Sequence, residues 1–269
     1  MTAAAPSPVA VVTGASSGIG AELAKLFAAD GHAVVLVARR AADLNALADE
    51  IAATGRPRPH VVVLDLAQPD AVAHLRAALA ERGAVAKYLV NNAGFGLLGV
   101  ATSLDHGEQL AMIDLNVKAL TALSLAFADD LVAQQGGLLN VGSLAGFVPG
   151  PGMAVYYATK AFVNSFSEAL WRELGPKGVA VTVLCPGPVP TGFQARAGVT
   201  VSGLQSILTV TAADAAKAGY DALMGRRRMV VPGRLANLVP LFARVLPRRT
   251  MIALIASTQI RRLGPGGGL

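Results

Sequence analysis

Residues Tyr156 to Lys160 read YYATK. On a helix Tyr156 and Lys160 stand i, i+4, while Tyr157 and Lys160 stand i, i+3. Either tyrosine therefore shares a face with the lysine. A free phenol has a pKa near ~10, too high to exchange its proton readily at neutral pH. An ammonium alongside stabilises phenolate and lowers that value. The pair suits proton transfer to or from an oxygen, with the lysine tuning the acid. Spacing alone leaves open which tyrosine carries the proton.

A second group lies near the N-terminus, where residues 9–20 read VAVVTGASSGIG. A β-branched run leads into Gly14, Gly18 and Gly20, and a helical pattern follows at once. Glycines let the backbone turn sharply and approach a ligand closely. The helix N-terminus then presents N–H groups and a positive dipole end to an anion. In this context the loop reads as a dinucleotide pyrophosphate site.

These groups need a scaffold. Strands are expected at Val9–Thr13, Val34–Ala38, Val61–Asp65, Tyr88–Asn91, Leu138–Gly142, Val179–Cys185 and Met229–Val231. All are short and apolar, as strands buried on both faces of a parallel sheet are. Helices are expected at Ala21–Ala29, Leu44–Ala53, Ala71–Arg82, Glu108–Ala133, Ala154–Leu174 and Ala213–Leu223. The alternation predicts an α/β fold: one doubly wound, seven-stranded parallel sheet with helices on both faces. A Rossmann-type domain is expected over residues 1–232, with a basic, apolar helical extension over 233–269.

The chain has 269 residues, 53% apolar and 15% charged, which suits one globular domain and excludes a disordered chain. Cys185 is the only cysteine. It excludes an internal disulfide and fits a reducing, cytoplasmic setting. The first strand begins near Val9, which leaves no room for a removable signal. No run approaches the ~18 apolar residues of a membrane span.

Several ordered motifs resemble the short-chain dehydrogenase/reductase family over roughly residues 8–232. They are TGASSGIG, the NNAG of Asn91–Gly94, Asn116 in LNV, Ser143, YYATK and PGPVPT. The family carries a serine 13 residues before its catalytic tyrosine, and Ser143 stands 13 before Tyr156. The resemblance thus implies Tyr156 as acid/base and Tyr157 as its packing neighbour. It further implies that Lys160 bonds the nicotinamide ribose and that Ser143 donates to the substrate oxygen. Asn116 is implied to kink its helix and hold a water leading to the lysine.

The same resemblance implies that Gly14, Ser16, Ser17, Gly18, Ile19 and Gly20 hold the cofactor phosphates. Asp65 and Leu66 lie at the adenine, and Asn92, Ala93 and Gly94 pass the adenosine ribose. Pro186, Gly187, Val189 and Thr191 reach the nicotinamide end. The second strand closes on Arg39-Arg40, with no acid for a ribose hydroxyl. Guanidinium suits a 2′-phosphate, so NADP(H) is the expected cofactor. Arg39 is the first choice for that contact and Arg40 the second.

Phe95, Leu97, Leu144, Phe147, Val148 and Phe193 are the expected pocket walls, beneath a lid over Gly192–Thr211. All six walls are apolar, so a small apolar carbonyl or alcohol is the expected substrate. An NADP(H)-dependent oxidoreductase is the expected function. The competing reading is a non-catalytic NADP-binding regulatory or membrane-associated scaffold protein.

Net charge is +6, yet residues 222–269 carry nine arginines and no acid. This tail is expected to form two short helices broken near Pro240 and Pro247. It has three readings: packing over the pocket, joining a subunit interface, or peripheral contact with an anionic membrane. Nucleic acid is excluded, because no binding motif or aromatic interleaving accompanies the arginines. The resemblance implies a homodimer or homotetramer.

Overall fold

The computed structural model describes residues 6–190, 208–233 and 235–263, with backbone alone from 258. Seven strands form one parallel sheet: β1 (Ser7–Thr13), β2 (Ala33–Ala38), β3 (His60–Val63), β4 (Ala84–Asn91), β5 (Gly137–Val141), β6 (Ala180–Leu184) and β7 (Met229–Val230). Their order is β3-β2-β1-β4-β5-β6-β7. Val12 pairs with Leu36 on one side and Val90 on the other. The chain thus leaves β1 in one direction and returns to its opposite edge. Beyond the carboxyl ends of β1 and β4 this opens the crevice where ligands bind such sheets.

Helices cover both faces. Leu23 and Phe27 of α1 (Gly18–Ala29), Leu44 and Ala48 of α2 (Ala41–Ala53), and Ala216 and Leu223 of a helix at Ala212–Met224 share one core. On the opposite face lie Leu75 and Leu79 of α3 (Ala71–Ala80), Leu123 and Leu131, and Leu170 and Leu174. Every expected strand is present, within a few residues at its ends.

The single helix expected over Glu108–Ala133 is divided. It runs as α4 (His106–Ile113), a π turn (Asp114–Ala119), α5 (Leu120–Ala126) and α6 (Ala128–Ala133). The π turn carries Asn116, whose amide is tied to the loop after β4. The second break falls at Phe127, which is fully buried beneath the Arg76 guanidinium. The next helix, α7 (Ala154–Leu174), has its expected bounds.

A polar ladder crosses the core between α5 and α7. Asn91 Nδ2 donates to Ser124 Oγ and to Asn140 Oδ1, each at 3.0 Å. Asn140 Nδ2 donates to Ser167 Oγ at 2.9 Å. All four residues are buried. Such bonds contribute about 1 kcal/mol each, and orphaning a member costs about 1–3 kcal/mol. The ladder keeps the two site-bearing helices in fixed relation to β4 and β5.

After α8 (Ala212–Met224) and β7, the tail forms a 3₁₀ turn at Ala236–Leu238, α9 (Val239–Val245) and α10 (Arg248–Leu263). Pro240 does not break a helix as expected. It sits in the first turn of α9, where its missing N–H costs nothing. Pro247 does separate the two helices. Ala236 and Val239 pack with Leu144, Val183, Cys185 and Val231. This seats α9 beside the 3₁₀ turn Leu144–Phe147 that follows β5. No described helix is long and apolar enough to cross a membrane.

Candidate active site

The site is assembled at the carboxyl ends of β1, β4, β5 and β6. Gly14 and Gly18 take φ of +63° and +59°, where side chains are strained. A Cβ on Gly20 would lie 2.5 Å from Gly14 O, so β1 and α1 meet with no room for one. Ser17 caps α1 in extended conformation, but its side chain makes no capping bond. The first-turn N–H groups thus lack a side-chain cap and face the loop, as a pyrophosphate requires. The residues present fit a dinucleotide.

The loop is anchored by two residues. Thr13 Oγ1 donates to Val90 O at 3.0 Å and accepts from the N–H groups of Asn92 and Ala93. Asn92 Nδ2 donates to Thr13 O and Gly14 O at 3.0 and 3.1 Å. Asn92 therefore spends its side chain bracing the glycine loop. Thr13 was not among the expected site residues, although it directly precedes Gly14 in the motif. An apolar-looking strand end concealed its role.

The arginines divide their work. Arg40 Nη2 donates to Ser16 Oγ and Ser17 Oγ, each at 3.0 Å, and its Nε lies 3.0 Å from Asp43 Oδ2. Arg39 Nη1 lies 3.6 Å from Asp65 Oδ2. Both are over half exposed at the mouth of the loop. Asp65 Oδ1 also accepts from Ala67 N at 3.1 Å, closing a turn after β3. Leu66 is buried.

On the other side of the crevice, Ser143 follows β5 in extended conformation and Oγ accepts from Ala145 N at 3.1 Å. The Ser143 hydroxyl lies beside the Tyr156 phenol and favours its ionised form. The Tyr157 ring packs on Gly150, where a Cβ would collide with it, and stands edge to the Tyr156 ring with centroids 6.2 Å apart. The geometry thus separates the two tyrosines that helical spacing left equivalent.

Lys160 is buried, and its Nζ donates to Val141 O at 2.8 Å. The ammonium lies 5.9 Å from the Tyr156 ring centroid. Burial pulls its pKa down to about 8, with Cys185 opposing weakly. Burial pushes the Tyr156 phenol well above its ordinary value, with the Ser143 hydroxyl opposing. The expectation that Lys160 lowers the phenol's pKa is not met in this arrangement. Desolvation outweighs a lysine that is itself engaged by a carbonyl.

Asn116 reaches from the π turn to the loop after β4. Its Oδ1 accepts from Phe95 N at 3.0 Å, and its Nδ2 donates to Phe95 O and Thr159 Oγ1 at 2.9 and 3.1 Å. Gly94 lies between Asn116 and Lys160, and a Cβ there would be 2.8 Å from Asn116 Oδ1. The expected kink is present as the bulge. The asparagine's own bonds go to Phe95 and to Thr159, the neighbour of Lys160.

Leu144 N donates to Pro186 O at 3.0 Å, tying the serine loop to the segment after β6. Gly187 admits the carbonyl of Leu208, which a Cβ would strike. The Val189 side chain is buried. Thr191, Phe193 and most of the expected lid lie outside the described residues. Phe95 and Leu144 are buried, while Leu97, Phe147 and Val148 are half-buried.

Asn164, on α7, also went unrecognised in the sequence. Its Nδ2 donates to Ser143 O at 3.1 Å, and its Oδ1 accepts from Cys185 Sγ at 3.4 Å. One turn beyond Lys160, it shares the inward face.

Lys160 and Cys185 set a pH dependence for the cofactor-free protein. The folded lysine titrates near 8 against an ordinary 10.5. Between those values the unfolded chain holds more protons, so stability rises with pH. Burial raises Cys185 from 9.0 to about 12. Above pH 9 the unfolded thiol ionises first, and this offsets the lysine's further gain. The thermal midpoint should climb from about pH 8 to 9, by at most about 1 kcal/mol, then level off. Lys160→Met should erase the climb. A flat wild-type midpoint over that interval would contradict the depressed lysine.

A family model described as short chain dehydrogenase matches residues 8–202. Sulfoacetaldehyde reductase of Chromohalobacter salexigens is 41% identical over 185 residues, 68% of this chain and 72% of that one. A short-chain dehydrogenase from Sphingobium yanoikuyae, solved in complex with NADPH, is 33% identical with a TM-score of 0.77, covering 94% of each chain. The bulky-bulky ketone specific alcohol dehydrogenase from Comamonas testosteroni is 31% identical with a TM-score of 0.72, covering 84% of this chain and 86% of that one.

Proposed function

The chain belongs to the short-chain dehydrogenase family, and from that premise we propose that it interconverts an apolar carbonyl compound and its alcohol using NADP(H). The observation that carries this reading is the Ser143 hydroxyl beside the Tyr156 phenol, with buried Lys160 5.9 Å from the Tyr156 ring. Support for the cofactor comes from the uncapped start of α1 and from Arg39 and Arg40 at the loop mouth. The Sphingobium structure carries NADPH.

NADPH, when bound, supplies the hydride. Ser143 donates to the carbonyl oxygen, where negative charge grows, and so stabilises the transition state. Tyr156 gives its proton to the same oxygen. Lys160, whose Nζ donates to Val141 O, would hold the nicotinamide ribose of a bound cofactor. Asn116 keeps the loop after β4 at a fixed distance from that lysine. Phe95, Leu97, Leu144, Phe147 and Val148 exclude water and offer no charge, which favours an apolar substrate. The intact set of four weighs against the scaffold reading.

The test is oxidation of NADPH, with NADH in parallel, across medium-chain aldehydes, bulky ketones, 3-oxoacyl thioesters and sulfoacetaldehyde. Turnover absent from the Tyr156→Phe variant is expected. Tight NADPH binding with no turnover on any member would instead favour the scaffold reading.

We also propose a homo-oligomer in a reducing, cytoplasmic setting. Leu110 and Ile113 of α4 and Phe162 and Trp171 of α7 are exposed. Exposed apolar side chains on these two helices suit burial against a second copy. Light scattering is expected to return a dimer or tetramer, and a monomer at micromolar concentration would remove this part of the proposal.

A further inference from the structure

The tail presents a second apolar face, separate from α4 and α7. Ala236 and Val239 turn inward against Leu144 and Cys185. Leu238, Leu241, Phe242 and Val245 follow at i, i+3, i+4 and i+7 and so share one side of the helix. Their exposures are 43%, 57%, 51% and 73%. Leu246, Ile252 and Leu254 extend the exposed apolar surface into α10. Arg244, Arg248 and Arg249 are exposed in the same stretch. No acid occurs anywhere from residue 222 to the end. Among the described residues no ion pair engages these arginines.

We propose that this face is a docking surface for an anionic phospholipid bilayer. Apolar side chains on one helical face enter the headgroup boundary, and arginines at its flanks meet lipid phosphates. Charge selects lipid over a second copy. A two-fold contact through this face would set arginines against arginines with no acid to offset them. Position adds a consequence, which rests on the reading of the site given above. Helix α9 lies against the 3₁₀ turn that begins one residue after Ser143. A docked protein would therefore hold the apolar walls of its pocket at the membrane, and an apolar carbonyl dissolved in lipid would reach them without crossing water.

The experiment is vesicle flotation with the full chain, which needs no turnover and so is independent of the catalytic reading. One set of vesicles is phosphatidylcholine. The other contains about 30% phosphatidylglycerol, enough to give a negative surface potential. Wild type is expected to float with the anionic vesicles only, and binding should fall as salt is raised. Leu241→Asp with Phe242→Asp should weaken binding at least about tenfold, and Arg248→Glu with Arg249→Glu should do the same. NADPH binding should be unchanged in both, which also shows that they fold. If the apolar pair fails to fold, the arginine pair and the wild-type salt series decide. Equal flotation with both vesicle types, or unchanged flotation in the variants, overturns the proposal. So does absence of flotation with loss of an oligomer in the apolar variant, which would assign the face to a second copy.

Discussion

Tyr156→Phe is expected to lower kcat by roughly 10²–10⁴-fold while NADPH binds as before. The substitution removes one oxygen and leaves the ring on its face of α7. That oxygen lies beside the Ser143 hydroxyl, so the variant loses the proton donor while the serine stays in place. Loss of a group acting only in the transition state lowers kcat and kcat/KM together. Tyr157→Phe supplies the contrast. Tyr157 is buried against Gly150, so its replacement should change kcat by less than about tenfold, since no transition-state contact is lost. Single-turnover rates with both variants check the assignment. Equal losses at the two positions would defeat it.

The second large effect concerns the arginines. Arg39→Ala is expected to raise the KM for NADPH by about ten- to a hundredfold, the worth of charge-assisted bonds of about 1.5–3 kcal/mol. The KM for NADH should stay near wild type, because that cofactor has no 2′-phosphate. Arg40→Ala should act differently. Arg40 ties Ser16 and Ser17, both on the glycine loop proposed to hold the pyrophosphate, which is common to both cofactors. Its loss should therefore weaken NADPH and NADH together. Steady-state kinetics with both cofactors separate the roles. An NADPH-selective loss at Arg40 with none at Arg39 would exchange them.

These two positions show how differently the chain discloses its parts. Adjacent arginines at a strand end are legible by type alone. Their division of labour depends on which way each side chain leaves the turn: Arg40 meets Asp43 in the first turn of its own helix, while Arg39 meets Asp65, which follows β3.

The seven strands and their parallel pairing were legible in the sequence. Runs such as Val9–Val12 and Val34–Val37 are apolar throughout, and only a sheet covered on both faces buries such runs. The glycine loop was legible because its demand is local, a sharp turn into a helix start. The break at Asp114–Ala119 was not legible as a π turn, because it depends on Asn116 bonding Phe95 across the crevice. The roles of Thr13, Asn91, Asn140 and Asn164 were hidden for the same reason. A buried polar side chain is defined by its partner, and these partners lie 21 to 80 residues away.

By itself the sequence determined the fold class, the place of the glycine loop, and the spacing that sets Lys160 on the same face as a tyrosine. Each follows from periodicity or backbone freedom within a few residues. Only the tertiary structure decided that Tyr157 lies on Gly150 while Tyr156 meets Ser143, and that desolvation governs both Tyr156 and Lys160. It also decided that Val239 faces the core while Phe242 faces outward. Burial and long-range contact are properties of the folded whole, and no window of sequence contains them.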